Sequence, residues 1–225
     1  PGSNCDADCF HVIDQVLEQP VEFIWHKETG IKGFDALIVP GGFSYGDYLR
    51  TGAIARFSPI MQAVKDFADQ GGLVIGVCNG FQILLEAGLL PGAMLRNESL
   101  QFRCFPVNLK TKTNQSAFTN GFRTGEIITL PIAHGEGNYY CDDDTFKELL
   151  EFDQIAFTYC DKDGQETSLA NPNGSKGNIA GILNRQRNVL GMMPHPERFS
   201  ESLLGGNDGI RVFASMLKSF EEGLR

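Results

Sequence analysis

The chain has 225 residues, 42% of them hydrophobic, and its 19 basic and 28 acidic side chains give a net charge of −9. This acidic balance, without a run of lysine and arginine, argues against binding to nucleic acid or to anionic membranes. No apolar stretch approaches the roughly 20 residues of a membrane-spanning helix. The first ten residues, PGSNCDADCF, lack the basic and apolar regions of a signal peptide. We therefore predict a cytoplasmic protein.

The cysteines support the same compartment. Six of them are spread widely along the chain, which is typical of reduced thiols and not of a disulfide framework. They are Cys5, Cys9, Cys78, Cys104, Cys141 and Cys160. Cys5, Cys9 and His11 are close in sequence, but no ordered pair of metal ligands accompanies them elsewhere. We expect no metal site.

Hydrophobic periodicity predicts the elements in chain order. Helical patterns occupy 10–17, 60–67 and 80–87, and a last helix follows Asp208, which is a candidate N-cap. β-rich segments are found at 21–25, 36–39, 73–77, 102–109, 127–133, 155–159, 179–183 and 189–193.

Alternation of strands and helices in the first half is typical of βαβ units. We predict an α/β fold with an open, mostly parallel sheet flanked by helices, to which the segment 102–193 adds antiparallel strands. We find no repeat or low-complexity linker and predict a single domain, 1–225. The chain begins with a turn-like PGSN directly before its first helix. The first strand expected of a doubly wound fold is therefore missing from the prediction.

The sequence GVCNG at 76–80 lies between a predicted buried strand and a predicted helix. A free cysteine is usually a small buried hydrophobe. Small residues around Cys78, however, suit a sharp turn that exposes a nucleophile, and the helix N-terminus favours the thiolate. The N–H of Asn79, the next residue, would then face a developing oxyanion.

The sequence MPHPE at 193–197 directly follows another apolar strand. A lone histidine is more often structural than catalytic. In extended geometry, however, residues i and i+2 share one side of the chain, so Glu197 can reach the ring of His195. A nucleophilic thiol needs such an imidazole to take its proton and such a carboxylate to orient the imidazole.

The sequence VPGGFS at 39–44 ends a third short strand. The plain interpretation is an ordinary strand-to-helix turn. Next to a nucleophile, the Gly-Gly pair lets a backbone N–H approach the substrate closely. We expect Gly42 to be the second oxyanion donor.

Together GVCNGFQ, PHPE and PGG resemble the class I (triad-type) glutamine amidotransferases. Within that family, the segments 39–61, 76–84, 89–97, 131–140 and 191–198 are similar to the glutaminase subunits that serve an ATP-dependent synthetase of purine biosynthesis. The resemblance implies a flavodoxin-like fold. It also implies that Cys78 attacks glutamine, His195 moves protons and Glu197 orients His195, with Gly42 and Asn79 as the oxyanion hole.

The resemblance further implies that Gln82, His134, Gly135 and Glu136 lie beside the bound glutamine. Ammonia would pass to a large synthetase subunit, which converts formylglycinamide ribonucleotide to its amidine and which in the family is assisted by a small accessory subunit. ATP and Mg²⁺ are used by that synthetase, so no cofactor is expected on this chain.

Several alternatives stay open at this point. His134, with Glu136 two residues later, is a second candidate base. Asp47 and Arg50 belong to a solvated face or to the surface that contacts the synthetase. The chain as a whole could be a catalytically idle regulatory subunit or a free-standing thiol hydrolase of related fold. The intact set of Cys78, His195 and Glu197 argues against the idle subunit, and Asn79 together with Glu197 argues against the free-standing hydrolase.

Overall fold

A computed structural model describes residues 2–43 and 52–223. Within these ranges the strands are β1 Ala36–Val39, β2 Leu73–Val77, β3 Ala93–Leu95, β4 Arg103–Thr111, β5 Ile127–His134, β6 Asn138–Tyr140, β7 Ile155–Cys160, β8 Ile179–Leu183 and β9 Val189–Met192. The α-helices are α1 Asp6–His11, α2 Ile60–Asp69, α3 Asn79–Glu86, α4 Asp143–Glu151 and α5 Ile210–Glu221. Asp47 and Arg50 lie outside the described residues.

Seven strands form one sheet in the order β1-β2-β9-β8-β7-β4-β5, and β3 pairs with β6 in a small second sheet. The predicted α/β class is confirmed. The large sheet is mixed, because β1, β2 and β9 run parallel while its other four pairings are antiparallel. Antiparallel pairings are therefore the majority in this sheet, whereas the sequence predicted a mostly parallel sheet. Three of the antiparallel pairs, β4 with β5, β7 with β8 and β8 with β9, join strands that are consecutive along the chain, so these connections need no crossover helix.

The predicted strands from residue 36 onward are confirmed, with ends that shift by at most two residues. The segment 21–25 is a correction, since it belongs to no strand. Its Phe23 and Trp25 side chains are 63% and 60% exposed. An apolar run becomes a strand only when a neighbouring strand takes up its backbone hydrogen bonds, and this run has none among the described residues.

Helices are confirmed at all four predicted places, and the first begins at Asp6, four residues earlier than predicted. α1 ends at His11 and continues as a π-helical turn, Val12–Val16. Asp208 does not cap α5; its carboxylate accepts a hydrogen bond from the backbone N–H of Thr129 at 2.8 Å. α4, β3 and β6 have no counterpart in the prediction. Within the described ranges, every helix is too short or too polar to span a bilayer.

The core lies on both faces of the central strands. Every residue of β2, β7, β8 and β9 is buried, as their uninterrupted apolar sequences require. α3 packs on β2, β9 and β1 and is buried from Asn79 to Leu85. One sheet thus contains strands from residue 36 to residue 192, while the single domain over 1–225 remains a prediction.

α3 approaches β1 so closely that only glycine fits at the contact. A Cβ atom on Gly80 would lie 1.8 Å from the carbonyl oxygen of Val39. Overpacking a core costs about 1–3 kcal/mol and sometimes more, and here the obstacle is backbone. We expect Gly80→Ala to lower the free energy of unfolding by at least about 3 kcal/mol in chemical denaturation.

The matched control is Gly30→Ala. A Cβ atom on Gly30 meets nothing within 4 Å, so this variant should stay within about 0.5 kcal/mol of the wild type. Equal unfolding free energies for the two variants would contradict the close approach of α3 to β1.

Candidate active site

Cys78 lies on a strained turn between β2 and α3. Its φ of 50° and ψ of −107° lie in a region that side chains rarely adopt, which is the mark of a nucleophile elbow. The glycines on either side have a packing reason. A Cβ atom on Gly76 would lie 2.7 Å from the carbonyl carbon of Gly80. Gly80 in turn packs against Val39 of β1. The Gly-x-Cys-x-Gly spacing therefore lets the helix begin directly at the strand end.

His195 and Glu197 form a buried pair beyond the end of β9. The Nδ1 atom of His195 is 2.6 Å from Oε1 of Glu197, and both side chains are at most 2% exposed. The extended backbone of His195 places the residue two positions later on the same side, as predicted from the sequence. With Nδ1–H donating to the carboxylate, Nε2 is left able to accept a proton.

The charges around His195 favour its protonated form. Burial acts to lower its pKa, but the negative charges of the Cys78 thiolate and Glu197 outweigh burial and raise the pKa well above the usual range. A histidine with this environment can hold the proton taken from a thiol. Cys78, His195 and Glu197 thus supply the thiol, the imidazole and the carboxylate that a nucleophilic thiol requires.

The parallel strands bring these groups to one edge of the sheet. β1, β2 and β9 are adjacent, so their carboxyl ends place Gly41, Cys78 and His195 side by side. A methyl group on Gly41 would lie 3.0 Å from Cε1 of His195 and 3.4 Å from Cβ of Cys78. The absence of a side chain at Gly41 therefore leaves room for both catalytic candidates.

A pocket of about 130 Å³ opens at this edge. The Cys78 thiol contacts the carbonyl oxygen of Ala133 across it at 3.7 Å. The lining contains six of the predicted site residues, and Asn79 and the His195–Glu197 pair lie outside it. Its residues are Gly42, Phe43, Cys78, Gln82, Phe102, Ala133, His134, Gly135 and Glu136.

Hydrogen bonds join two of the predicted glutamine-binding residues, Gln82 and Glu136, and connect Gln82 to Asn79. The amide of Asn79 donates to Oε1 of Gln82 at 2.9 Å, and Nε2 of Gln82 donates to the carbonyl oxygen of Glu136 at 2.6 Å. These bonds connect α3 to the turn after β5. The predicted oxyanion donors, Gly42 and Asn79, flank Cys78: Gly42 lines the pocket and Asn79 is the first residue of α3.

His134 does not form a second histidine–carboxylate pair. Its Nδ1 atom faces Oδ1 of Asn97 at 3.1 Å, and the carboxylate of Glu136 lies 3.5 Å from Arg96. Burial and the neighbouring His195 lower the pKa of His134 to about 4, so it is neutral at pH 7. Of the two candidate bases, only His195 has a carboxylate partner in the part of the chain that the structure describes.

Comparison with known proteins agrees with this geometry. Residues 1–206 match the family model of the CobB/CobQ-like glutamine amidotransferase domain. The chain is 61% identical over 225 residues to the phosphoribosylformylglycinamidine synthase subunit PurQ of Moorella thermoacetica, covering 100% of this chain and 95% of that protein. The chain belongs to the PurQ family.

Two further similarities place it in the same family. The PurQ subunit of Koribacter versatilis is 61% identical over 217 residues, which cover 96% of this chain and 94% of that protein. The structure of PurLQS from Thermotoga maritima contains a chain of 42% identity, with a TM-score of 0.86 over 98% of this chain and 95% of that chain. The fold described above is therefore also found in a chain of the PurLQS structure.

In this member of the PurQ family, sequence reasoning missed Asn97. Its side chain is fully buried; the amide nitrogen donates to the carbonyl oxygens of Gln101 and His134, and the amide oxygen accepts from the backbone N–H of Gly137. Asn97 thus bonds to the backbone of His134, before the turn that follows β5, and of Gly137, after it. These bonds hold the turn beside the pocket. A buried polar side chain with all its bonds made is a common organiser of loops. The only sequence signal for Asn97 was its place at the end of the segment 89–97, one of the segments that resemble the glutaminase subunits.

One group of potential metal ligands lies at the triad of this PurQ-family chain. Within the described ranges, atoms of Cys5, His195 and Glu197 lie within 4.8 Å of one another, and all three residues are buried. The short His195–Glu197 hydrogen bond accounts for two of them. His11, considered above with Cys5, is elsewhere and pairs with Glu201 at 2.8 Å. All six cysteines are free thiols.

Proposed function

We propose that this chain hydrolyses glutamine to glutamate and ammonia and delivers the ammonia to a synthetase subunit. The synthetase would use it to convert formylglycinamide ribonucleotide to formylglycinamidine ribonucleotide, with ATP, in purine biosynthesis. The observation that carries the proposal is the strained Cys78 elbow facing a pocket beside a buried His195–Glu197 pair. Membership of the PurQ family supports the same reaction.

In the first half of the proposed reaction, the Cys78 thiolate attacks the side-chain amide carbon of glutamine. The carbonyl oxygen becomes negative and accepts hydrogen bonds from the N–H groups of Gly42 and Asn79. His195 gives its proton to the amide nitrogen, the carbon–nitrogen bond breaks, and ammonia leaves. The product is a γ-glutamyl thioester on Cys78.

In the second half, water attacks the thioester carbon while His195 takes a proton from it. The carbon–sulfur bond breaks, glutamate leaves, and the Cys78 thiolate and the His195 imidazolium are restored. Glu197 keeps the Nδ1–H of His195 oriented in both halves. Gln82, His134, Gly135 and Glu136 would hold the glutamine through the hydrogen-bonded turn that Asn97 supports.

The chain needs no cofactor or metal of its own for these steps, and ATP and Mg²⁺ would be used by the synthetase subunit. We place the protein in the cytoplasm, which its six free thiols support. Two half-exposed aromatic side chains at the pocket, Phe43 and Phe102, suit coverage by a partner. The large synthetase subunit, with a small accessory subunit, is the partner we propose.

The test is glutamate release from glutamine by the chain alone and by the assembled complex. A glutaminase that acted alone would release ammonia to solvent, so we propose that docking aligns Gly42 through the glycine-rich segments 41–52 and 135–137. A misplaced oxyanion donor lowers the rate on the order of 10²–10³-fold. We expect the partners to raise the rate at least about tenfold.

The control is the chain mixed with an unrelated protein at the same concentration. Equal glutaminase rates with and without the synthetase partners would contradict the gating and favour a free-standing hydrolase. No glutamate release under any condition would favour an idle regulatory subunit.

A further inference from the structure

The N-terminal turn of the chain contacts the active-site loop that follows β1. Gly41 accepts hydrogen bonds at its carbonyl oxygen from the Ser3 hydroxyl at 2.7 Å and from the backbone N–H of Asn4 at 3.2 Å. The N–H of Phe43 donates back to the carbonyl oxygen of Gly2 at 2.9 Å. The segment therefore holds the loop that carries Gly42, although the reaction described above uses none of its side chains.

Cys5, in this segment, is the side chain that reaches the catalytic candidates. It is 1% exposed, and its sulfur lies 3.8 Å from Nδ1 of His195, on the side where His195 meets Glu197. The thiol donates to Oδ1 of Asn4 at 3.2 Å. The sulfur also accepts from the guanidinium of Arg198, whose Nη2 atom is 3.0 Å away.

Arg198 is close to Glu197 without bonding to it. Its Nε atom lies 3.9 Å from Oε1 of Glu197, which is beyond hydrogen-bond distance, and 3.5 Å from Oδ2 of Asp8. The other oxygen of Glu197, Oε2, is buried and makes no hydrogen bond within the described residues. A guanidinium prefers to bind a carboxylate through two parallel hydrogen bonds. Such a bond would take charge from Glu197 that now supports His195.

We propose that Cys5 is a positioning residue for the His195–Glu197 pair, because its sulfur engages Arg198 and keeps the guanidinium off Glu197. This inference rests on the proposed function. Cys5 touches neither substrate nor reacting atoms in it. The role differs from that of Glu197, because Cys5 acts by preventing a competing ion pair.

Among residues 2–43 and 52–223, the other titratable groups around the pair do not supply a competing cation. His134 faces His195 and is neutral, since burial and His195 lower its pKa to about 4. Burial and the charge of Glu197 raise the pKa of the Cys9 thiol, so it stays protonated. Burial acts to lower the pKa of Arg198, but the neighbouring Cys5, Glu197 and Asp8 raise it, so Arg198 stays charged. Together with Cys78, these are the titratable groups around the His195–Glu197 pair among the described residues.

The experiment measures kcat/KM for glutamate release against pH in the assembled complex. In Cys5→Ala the guanidinium is released onto Glu197, and the imidazolium loses support. We expect kcat/KM to fall on the order of 10- to 100-fold, the worth of one hydrogen bond to a charged group. We expect the alkaline limb of the profile to move down by about one pH unit.

Three variants separate this effect from lost packing. Cys5→Ala combined with Arg198→Met removes the competing cation and should return the alkaline limb to its wild-type position. Cys5→Ser keeps an acceptor for Arg198 and should leave the limb in place, which also provides a test if the alanine variant does not fold. Cys9→Ala, a buried thiol one turn later, should leave the limb unchanged.

The inference is overturned by an unchanged limb in Cys5→Ala, by a double variant shifted as far as the single one, or by a Cys5→Ser limb displaced by about one pH unit. These outcomes are read in an active complex. Failure of the proposed function would instead appear as a wild-type complex that releases no glutamate. The two failures are therefore distinguishable.

Discussion

Cys78→Ala is expected to abolish glutamine-dependent synthesis of the amidine in the assembled complex and to leave synthesis from ammonium salts intact. Without the thiol no thioester can form, whereas ammonia added directly bypasses this subunit. Removal of a catalytic nucleophile costs on the order of 10⁶-fold in rate, which leaves no measurable glutamine reaction. The measurement is product formation by the complex with each nitrogen source in turn.

The matched control is Cys104→Ala. Cys104 lies in β4 opposite Ala133, close to the pocket, but it is exposed and lies off the elbow. Both nitrogen sources should support normal synthesis in this variant. A glutamine-like electrophile should also label Cys78 before the other thiols, and peptide mapping that found Cys104 or Cys141 modified first would refute the assignment of the nucleophile.

Glu197→Gln should have the second-largest effect. Glutamine keeps the shape of the side chain but removes the negative charge that raises the pKa of His195. It also replaces an acceptor-only group by one that can donate, so His195 loses its preferred tautomer. Losses of the acid in such triads reach about 10⁴-fold, and we expect a fall of up to that size in kcat for glutaminase.

A second histidine–carboxylate contact in the same chain provides the control. Glu201 pairs with His11 at 2.8 Å on the surface, so Glu201→Gln makes the same chemical change outside the pocket. Its turnover should equal that of the wild type. Wild-type turnover in Glu197→Gln would show that this carboxylate is only a turn residue, and a loss as large as in His195→Ala would show that it does more than orient the imidazole.

Local pattern was enough to predict most of the candidate site. The small residues around Cys78, the i+2 spacing of His195 and Glu197 and the Gly-Gly after β1 are each explained within a few residues of chain. Each follows an apolar strand, and the carboxyl ends of neighbouring parallel strands meet at one edge. The structure places these segments together at the ends of β1, β2 and β9. The catalytic roles themselves stay a prediction.

Contacts between distant segments could not be predicted in this way. Asp208 has the residue type of an N-cap, yet it bonds to Thr129, 79 residues away, because Thr129 lies on the edge strand β5, where its N–H needs an acceptor from outside the sheet. The 21–25 run has strand-forming residues but no described partner strand. Asn97 belongs to no hydrophobic periodicity. Its importance comes from the hydrogen bonds that its side chain makes to the turn after β5.

The sequence by itself determined the α/β class, the positions of the seven strands of the large sheet and the residue types around the pocket, because apolar periodicity and turn residues act over a few positions. Only the tertiary structure decided that four of the six pairings in the large sheet are antiparallel and that Cys5 and Arg198 lie against the His195–Glu197 pair. Cys5 and His195 are 190 residues apart. Their contact depends on the packing of the N-terminal turn against the end of β9, and such long-range packing has no local signature in the sequence.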